Sequence, residues 1–168
     1  MLEFTFALLP LLMMVFVLMD AAWAIYAKST LAYAVRTGVR TGITITGTQA
    51  TAAGSDLTSM VKHSVQASAN GLLGHLPTDA GWGNIKVHYY KPPDPGSAAA
   101  CVDVSGLSNG NDALNIMQVS IQGFSLHPLV PRLFGLHSGV DNASTSIGAI
   151  AADLIEPSRD LPPIGVAP

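Results

Sequence analysis

Gly106-Leu107-Ser108-Asn109-Gly110 is the one stretch of this chain whose spacing fits a nucleophile, since it matches the GxSxG elbow that holds a serine on a sharp turn between strand and helix. The same Gly, Ser and Asn are what a turn between two strands requires. The residues after Gly110 read as a turn and another strand, and 168 residues leave no room for the large sheet that would position an acid and a histidine. A turn is therefore the expectation, with hydrolysis at Ser108 kept only as a reading to test. His63, His75, His88, His127 and His137 are scattered without HExxH or other ligand spacing, so no metal is expected. The only glutamates are Glu3 and Glu156, which argues against a catalytic carboxylate pair, and no glycine-rich phosphate loop occurs. Cys101 is alone, so it forms no intramolecular disulfide and reads as a small half-buried strand residue. Asn142-Ala143-Ser144 fits a glycosylation acceptor, a triplet common by chance. These residues argue against an enzyme, and no cofactor is expected.

Composition points elsewhere. Charged residues make up 11% of the chain, against roughly 25% in soluble domains, although the apolar share of 49% is ordinary. Part of the molecule is therefore expected outside water. A net charge of −3 without a basic block leaves no electrostatic footprint for nucleic acid.

Phe4 to Met19 carries no charge, and the apolar pattern continues past Asp20 to Ala27. About 20 helical residues cross a hydrocarbon core of roughly 30 Å, so Phe4 to Ala27 suffices with some tilt. Pro10 could kink this helix near its start. A cleaved secretory signal is the competing reading, with Ala22-Trp23-Ala24 as a small-x-small cleavage site. Against it, no basic residue precedes the apolar run, and the helical pattern continues through the supposed cut. Lys28, Arg36 and Arg40 all come after the span, which by the positive-inside rule would keep the rest cytoplasmic, but long domains translocate regardless of charge.

Beyond the bilayer, Trp23, Tyr26, Thr30, Tyr33 and Thr37 share one helical face and Lys28, Ser29, Ala32 and Arg36 a more polar one. The helix is expected to reach Gly38 or Gly42, with its aromatic face against neighbouring subunits or the chain's own domain. The spans expected are 1–42 for the membrane helix and its extension, 43–54 for a linker, 55–154 for an exported domain and 155–168 for a disordered proline-rich tail. Within the domain, Ser55 caps an amphipathic helix through Leu57, Met60, Val61, Val65 and Leu72, with Gly74 and Pro77 as stops. Strands are expected over Asn84 to Lys91, Ala98 to Val104 and Leu114 to Ser125, with a weaker one in Val140 to Leu154 and an irregular turn at Pro128 to Gly135. The fold class is α+β: a long N-terminal transmembrane helix running into a small domain with one packed helix and a three- to four-stranded, mainly antiparallel sheet.

The stretch EFTFALLPLLMMVFVLMDAAWAIYAKSTLAYAVRTGVRTG resembles the TadE-like family of pseudopilins, single-span components of the tight-adherence (Flp, type IVb) pilus machinery. The likeness rests on Glu3-Phe4, the early Leu9-Pro10, Asp20 one span later, and an extension containing Ala34, Arg36, Gly38, Arg40 and Gly42. A second likeness is VSIQGFSLHPLVPRLFG, Val119 to Gly135, a strand followed by a proline-punctuated turn. The resemblance implies anchorage in the bacterial inner membrane by one span and export of the carboxyl domain to the periplasm or cell exterior. It also implies processing by a prepilin peptidase and a role in pilus assembly or secretion. The implied partners are the lipid bilayer and other pilus or secretion-system subunits. Glu3 gains a use from the same resemblance, pairing with a neighbour's terminal amine inside the apolar bundle. A seat among headgroups, favoured by the positive end of the helix dipole, is the alternative. No basic leader ending in glycine precedes Glu3, so an internal start, a removed leader and an unprocessed member all stay open. Candidate assembly contacts are Glu3, Asp20, Trp23 and Tyr26, with snorkelling to the far headgroups the plainer role of Asp20. An exported binding domain with only a signal or tether at its start is the second functional expectation.

Overall fold

A computed structural model describes residues 2–126, 145–156 and 160–165. Helix α1, Leu2–Thr44, is 43 residues long, about 65 Å at 1.5 Å per residue, and runs unbroken through Pro10. Next in the chain are α2 (Gly47–Ala53), α3 (Leu57–Ser68), α4 (Ala80–Asn84), β1 (Ile85–Lys91), β2 (Val102–Asp103), β3 (Ile116–Leu126) and β4 (Thr145–Leu154). The strands form one antiparallel sheet in the order β2-β1-β3-β4. The α+β architecture and the long apolar helix are as expected.

Alternation gives the sheet a single buried face. Ile85, Val87 and Tyr89 of β1 and Met117, Val119 and Ile121 of β3 are each at most 1% exposed. Between Ile121 and Phe124 the β3–β4 register shifts, with Gly123 at φ 74°. This bulge places two residues where the partner has one, so the inward positions change from odd to even and Phe124 and Leu126 turn toward the core.

Two antiparallel helices cover that face. Helix α1 lies over β3 and β4, and α3 lies against α1 and β1. The face α1 buries is made of Ala27, Leu31, Ala34, Val35, Gly38, Val39 and Gly42, at helical spacings of three and four. Its small residues let the helices approach closely: a methyl at Gly38 would strike Val65, and one at Gly42 would lie 2.5 Å from Met117 Sδ and 2.8 Å from Val61 Cγ2. Thr41 and Ser64 hydroxyls hydrogen bond across the same seam at 2.9 Å.

Several local expectations are corrected. The stretch 43–54, expected as a linker, holds the end of α1 and all of α2. Thr46 and Gln49 form a reciprocal capping box there, and Gly54 at φ 61° closes the helix. The cap of α3 is Asp56 rather than Ser55, its carboxylate accepting from Ser59 N–H at 2.7 Å. That helix stops at Ser68, short of Leu72. The buried Gln66 amide donates to Leu73 and Leu76 carbonyls, which satisfies the turn beyond the helix end. The strand expected over Ala98 to Val104 shrinks to Val102–Asp103, and Cys101 is an exposed residue before it. The weak pattern in Val140 to Leu154 becomes the ten-residue β4. The turn at Pro128 to Gly135, Asn142-Ala143-Ser144, His127 and His137 lie outside the described residues.

The largest correction concerns the described part of 155–168, residues 155–156 and 160–165. In place of a disordered tail, Ile155 is fully buried and exchanges backbone hydrogen bonds with Leu114 and Asn115. Asp160 to Gly165 then lies across the start of α2 and α3. Prolines lowered the expectation of order, but the segment needs no helix or ladder, because its carbonyls meet N–H groups that helix starts leave open.

Candidate assembly surface

Helix α1 has two halves of different character. From Leu8 to Met19 the described side chains are nearly all exposed, whereas from Ala27 onward every turn buries residues in the domain. Leu8–Thr44 is, among the described residues, the one helix long and apolar enough to cross a membrane, and its most apolar stretch is wholly unburied. Contiguous exposed apolar surface of this extent marks contact with lipid or protein.

The junction of the halves carries the aromatic residues. Trp23 and Tyr26 stack at 5.6 Å between ring centroids and are 41% and 46% exposed. They stand where an interfacial aromatic belt would be, an apolar body with a polar tip at the edge of the span. The aromatic face therefore does not pack on the chain's own domain: Tyr33 is 64% exposed, and only Thr30 of that face is buried. The Ala/Gly/Val stripe packs instead, because small side chains allow backbone approach that aromatic rings prevent. Asp20 is half-buried, one turn before Trp23. Glu3 stands in the first turn of α1, where the backbone alone is described. The four candidate contacts thus share one helix, with Asp20, Trp23 and Tyr26 grouped within two turns and Glu3 about 25 Å away along the axis.

Above the aromatic pair, Tyr33, Arg36, Thr37, Arg40, Thr41 and Thr44 line an open groove of about 540 Å³ along α1. Sequence reasoning noted Arg36 and Arg40 as family-like positions but did not foresee this groove. Their i,i+4 spacing was the available signal.

Ser108 sits in a turn after β2, as its Gly and Asn neighbours imply. A different serine meets a histidine and an aspartate. Ser105 Oγ donates to Asp103 Oδ1 at 2.6 Å and accepts from Tyr89 N–H at 2.8 Å. His88 Nδ1 lies 3.4 Å from Asp103 Oδ2 and 3.5 Å from Ser105 Oγ. This is not a nucleophile arrangement: the hydroxyl gives its proton to the carboxylate rather than to imidazole, and Ser105 is 7% exposed. It is a clasp holding the two-residue β2 on β1.

Hydrogen bonds from the Ser105 hydroxyl and Ser105 N–H, with a smaller contribution from the charge of His88, hold the Asp103 carboxyl below the usual carboxylate range, against a small opposing burial effect. A depressed carboxylate stabilises the fold above its unfolded value near 3.9, and that contribution is lost as pH falls through the lower folded value. Because Asp103 is largely exposed, screening keeps the effect small. Protection of the Tyr89 and Ser105 amides from hydrogen exchange should therefore decline below about pH 4, and Asp103→Asn should lower it at neutral pH. Protection unchanged to pH 3 in the native chain would contradict this.

The geometry defines a class: an α+β domain built on the second half of a single apolar helix whose first half is bare. Comparison with known proteins refines it. The family model described as TadE-like protein matches residues 1–40, which include the bare stretch from Leu8 to Met19 and most of the packed half of α1. No curated protein matches the chain, and no solved structure matches it.

Proposed function

We propose that this chain is a single-pass, pseudopilin-like membrane protein with a structural part in assembling a tight-adherence (Flp) pilus or a related secretion system. The observation that carries the reading is the division of α1 into a bare apolar half and a half that forms the spine of the domain. A helix continuous through both transmits position from the bilayer to the domain, as an assembly subunit needs and a cleaved signal would not. The TadE-like match over residues 1–40 supports the pilus association.

In this reading the domain lies on the periplasmic or extracellular side of the inner membrane. Glu3, Asp20, Trp23 and Tyr26 meet other subunits or headgroups, and a prepilin peptidase processes the start. Catalysis has no place in it. Deleting the gene should abolish or sharply reduce surface pili and adherence, with restoration by the native chain. Intact piliation in the deletion strain would overturn the proposal.

A further inference from the structure

The segment Asp160 to Gly165 occupies a groove whose partners are specific and largely buried. Gly47 N–H donates to Asp160 O at 3.0 Å, and Leu57 N–H to Pro163 O at 2.9 Å. Thr58 donates twice to Ile164 O, from N–H at 3.2 Å and from its hydroxyl at 2.6 Å. Asn111, 2% exposed, donates its amide to Pro162 O at 2.5 Å. The Ile164 side chain is 5% exposed, and a methyl at Gly110 would lie 3.2 Å from its Cδ1. Gly110, the last residue of GLSNG, borders the Ile164 seat, and its closest constraint is the Val104 carbonyl, which a methyl would approach to 2.5 Å.

We propose that this groove is a peptide-acceptor site, filled in cis by Asp160–Gly165 and able to take the same segment from a second copy of this chain. Recognition is carried by the segment alone: four backbone carbonyls, the Asp160 carboxylate and the buried Pro162 and Ile164 side chains, on a Leu-Pro-Pro-Ile sequence whose stiffness lowers the entropy of docking. Every bond made in cis is available in trans, so exchange costs little beyond closure. Asp160 lies five residues after the buried Ile155, a reach of about 17 Å, so only abutting copies can exchange. Here the inference rests on the membrane-anchored reading, because anchored copies hold groove and segment at one height and raise their effective concentration.

The test uses full chains co-expressed in one membrane, with Cys101→Ser in every chain except the partner copy of the control, which keeps Cys101. Thr48 Oγ1 lies 3.2 Å from Asp160 Oδ2 on the exposed rim, so T48C and D160C can bridge without touching the buried contacts. One copy carries T48C and the other D160C. Mild oxidation should give a reducible dimer at least about tenfold more abundant than that formed between D160C and Cys101 of an otherwise native copy. The double variant T48C/D160C in one chain should form the intrachain bridge, which reports cis docking and folding whatever the membrane result. An intrachain bridge with no dimer above the Cys101 control overturns the exchange, and failure of the intrachain bridge overturns the site.

Discussion

Leu12→Arg together with Val15→Arg should release the protein from the membrane fraction, whereas Val15→Arg alone should leave it inserted. Phe4 to Met19 contains ten Leu, Phe and Val residues. At roughly −0.3 to −0.6 kcal/mol each they favour insertion by about 3–6 kcal/mol, and each arginine near the centre costs about 2.5–3.5 kcal/mol. One arginine is offset by the remaining apolar residues. Two are not, since they also remove two favourable contributions. Alkaline carbonate extraction followed by immunoblotting reads the outcome. Retention of the double variant in the pellet would mean that something other than this apolar run holds the protein there.

Gly42→Leu should destabilise the domain strongly, and Gly42→Ala should weaken it measurably. The methyl of alanine already meets Met117 Sδ at 2.5 Å and Val61 Cγ2 at 2.8 Å, so α1 must shift or the core must yield. Overpacking of this kind costs about 1–3 kcal/mol, against a helix-propensity gain of at most about 1 kcal/mol. Leucine adds three further carbons to the same space, for a cost of at least about 3 kcal/mol, a large share of the roughly 5–15 kcal/mol usual for a domain. Thermal unfolding in detergent, followed by near-ultraviolet circular dichroism, tests both. Gly83→Ala is the control, since a methyl there meets nothing within 4 Å. A Gly42→Leu variant melting with the native protein would contradict the close α1–α3–β3 seam.

The elements with strong periodicity were legible. Strand β1 falls within one residue of the alternation seen over Asn84 to Lys91, and β3 within two of Leu114 to Ser125, because in each a half-buried strand separates its faces cleanly. The elements that escaped depend on partners distant in sequence or on reciprocal capping. Thr, Ala and Gly at 43–54 read as a linker by composition, yet Thr46 and Gln49 satisfy each other and make a helix. The tail looked too proline-rich to order, but its docking uses carbonyls and N–H groups of α3, which no local pattern reports.

The candidate surface was legible by the same division. Trp23 and Tyr26 were visible as residues at the end of an apolar run. That they face outward, while Ala34, Gly38 and Gly42 face the domain, is a consequence of how closely α3 approaches. The clasp of His88, Asp103 and Ser105 was hidden because β1 and β2 bring its members together across a loop.

A membrane-anchored assembly subunit requires that both halves of α1 belong to one helix in the mature protein. The direct test is the N-terminal sequence and intact mass of the protein extracted from membranes of the native host. The expected result is a membrane-bound chain that retains the apolar run through Tyr26. A soluble exported chain beginning at Ile25 would contradict it, since cleavage after Ala24 would remove the anchor and leave only the domain.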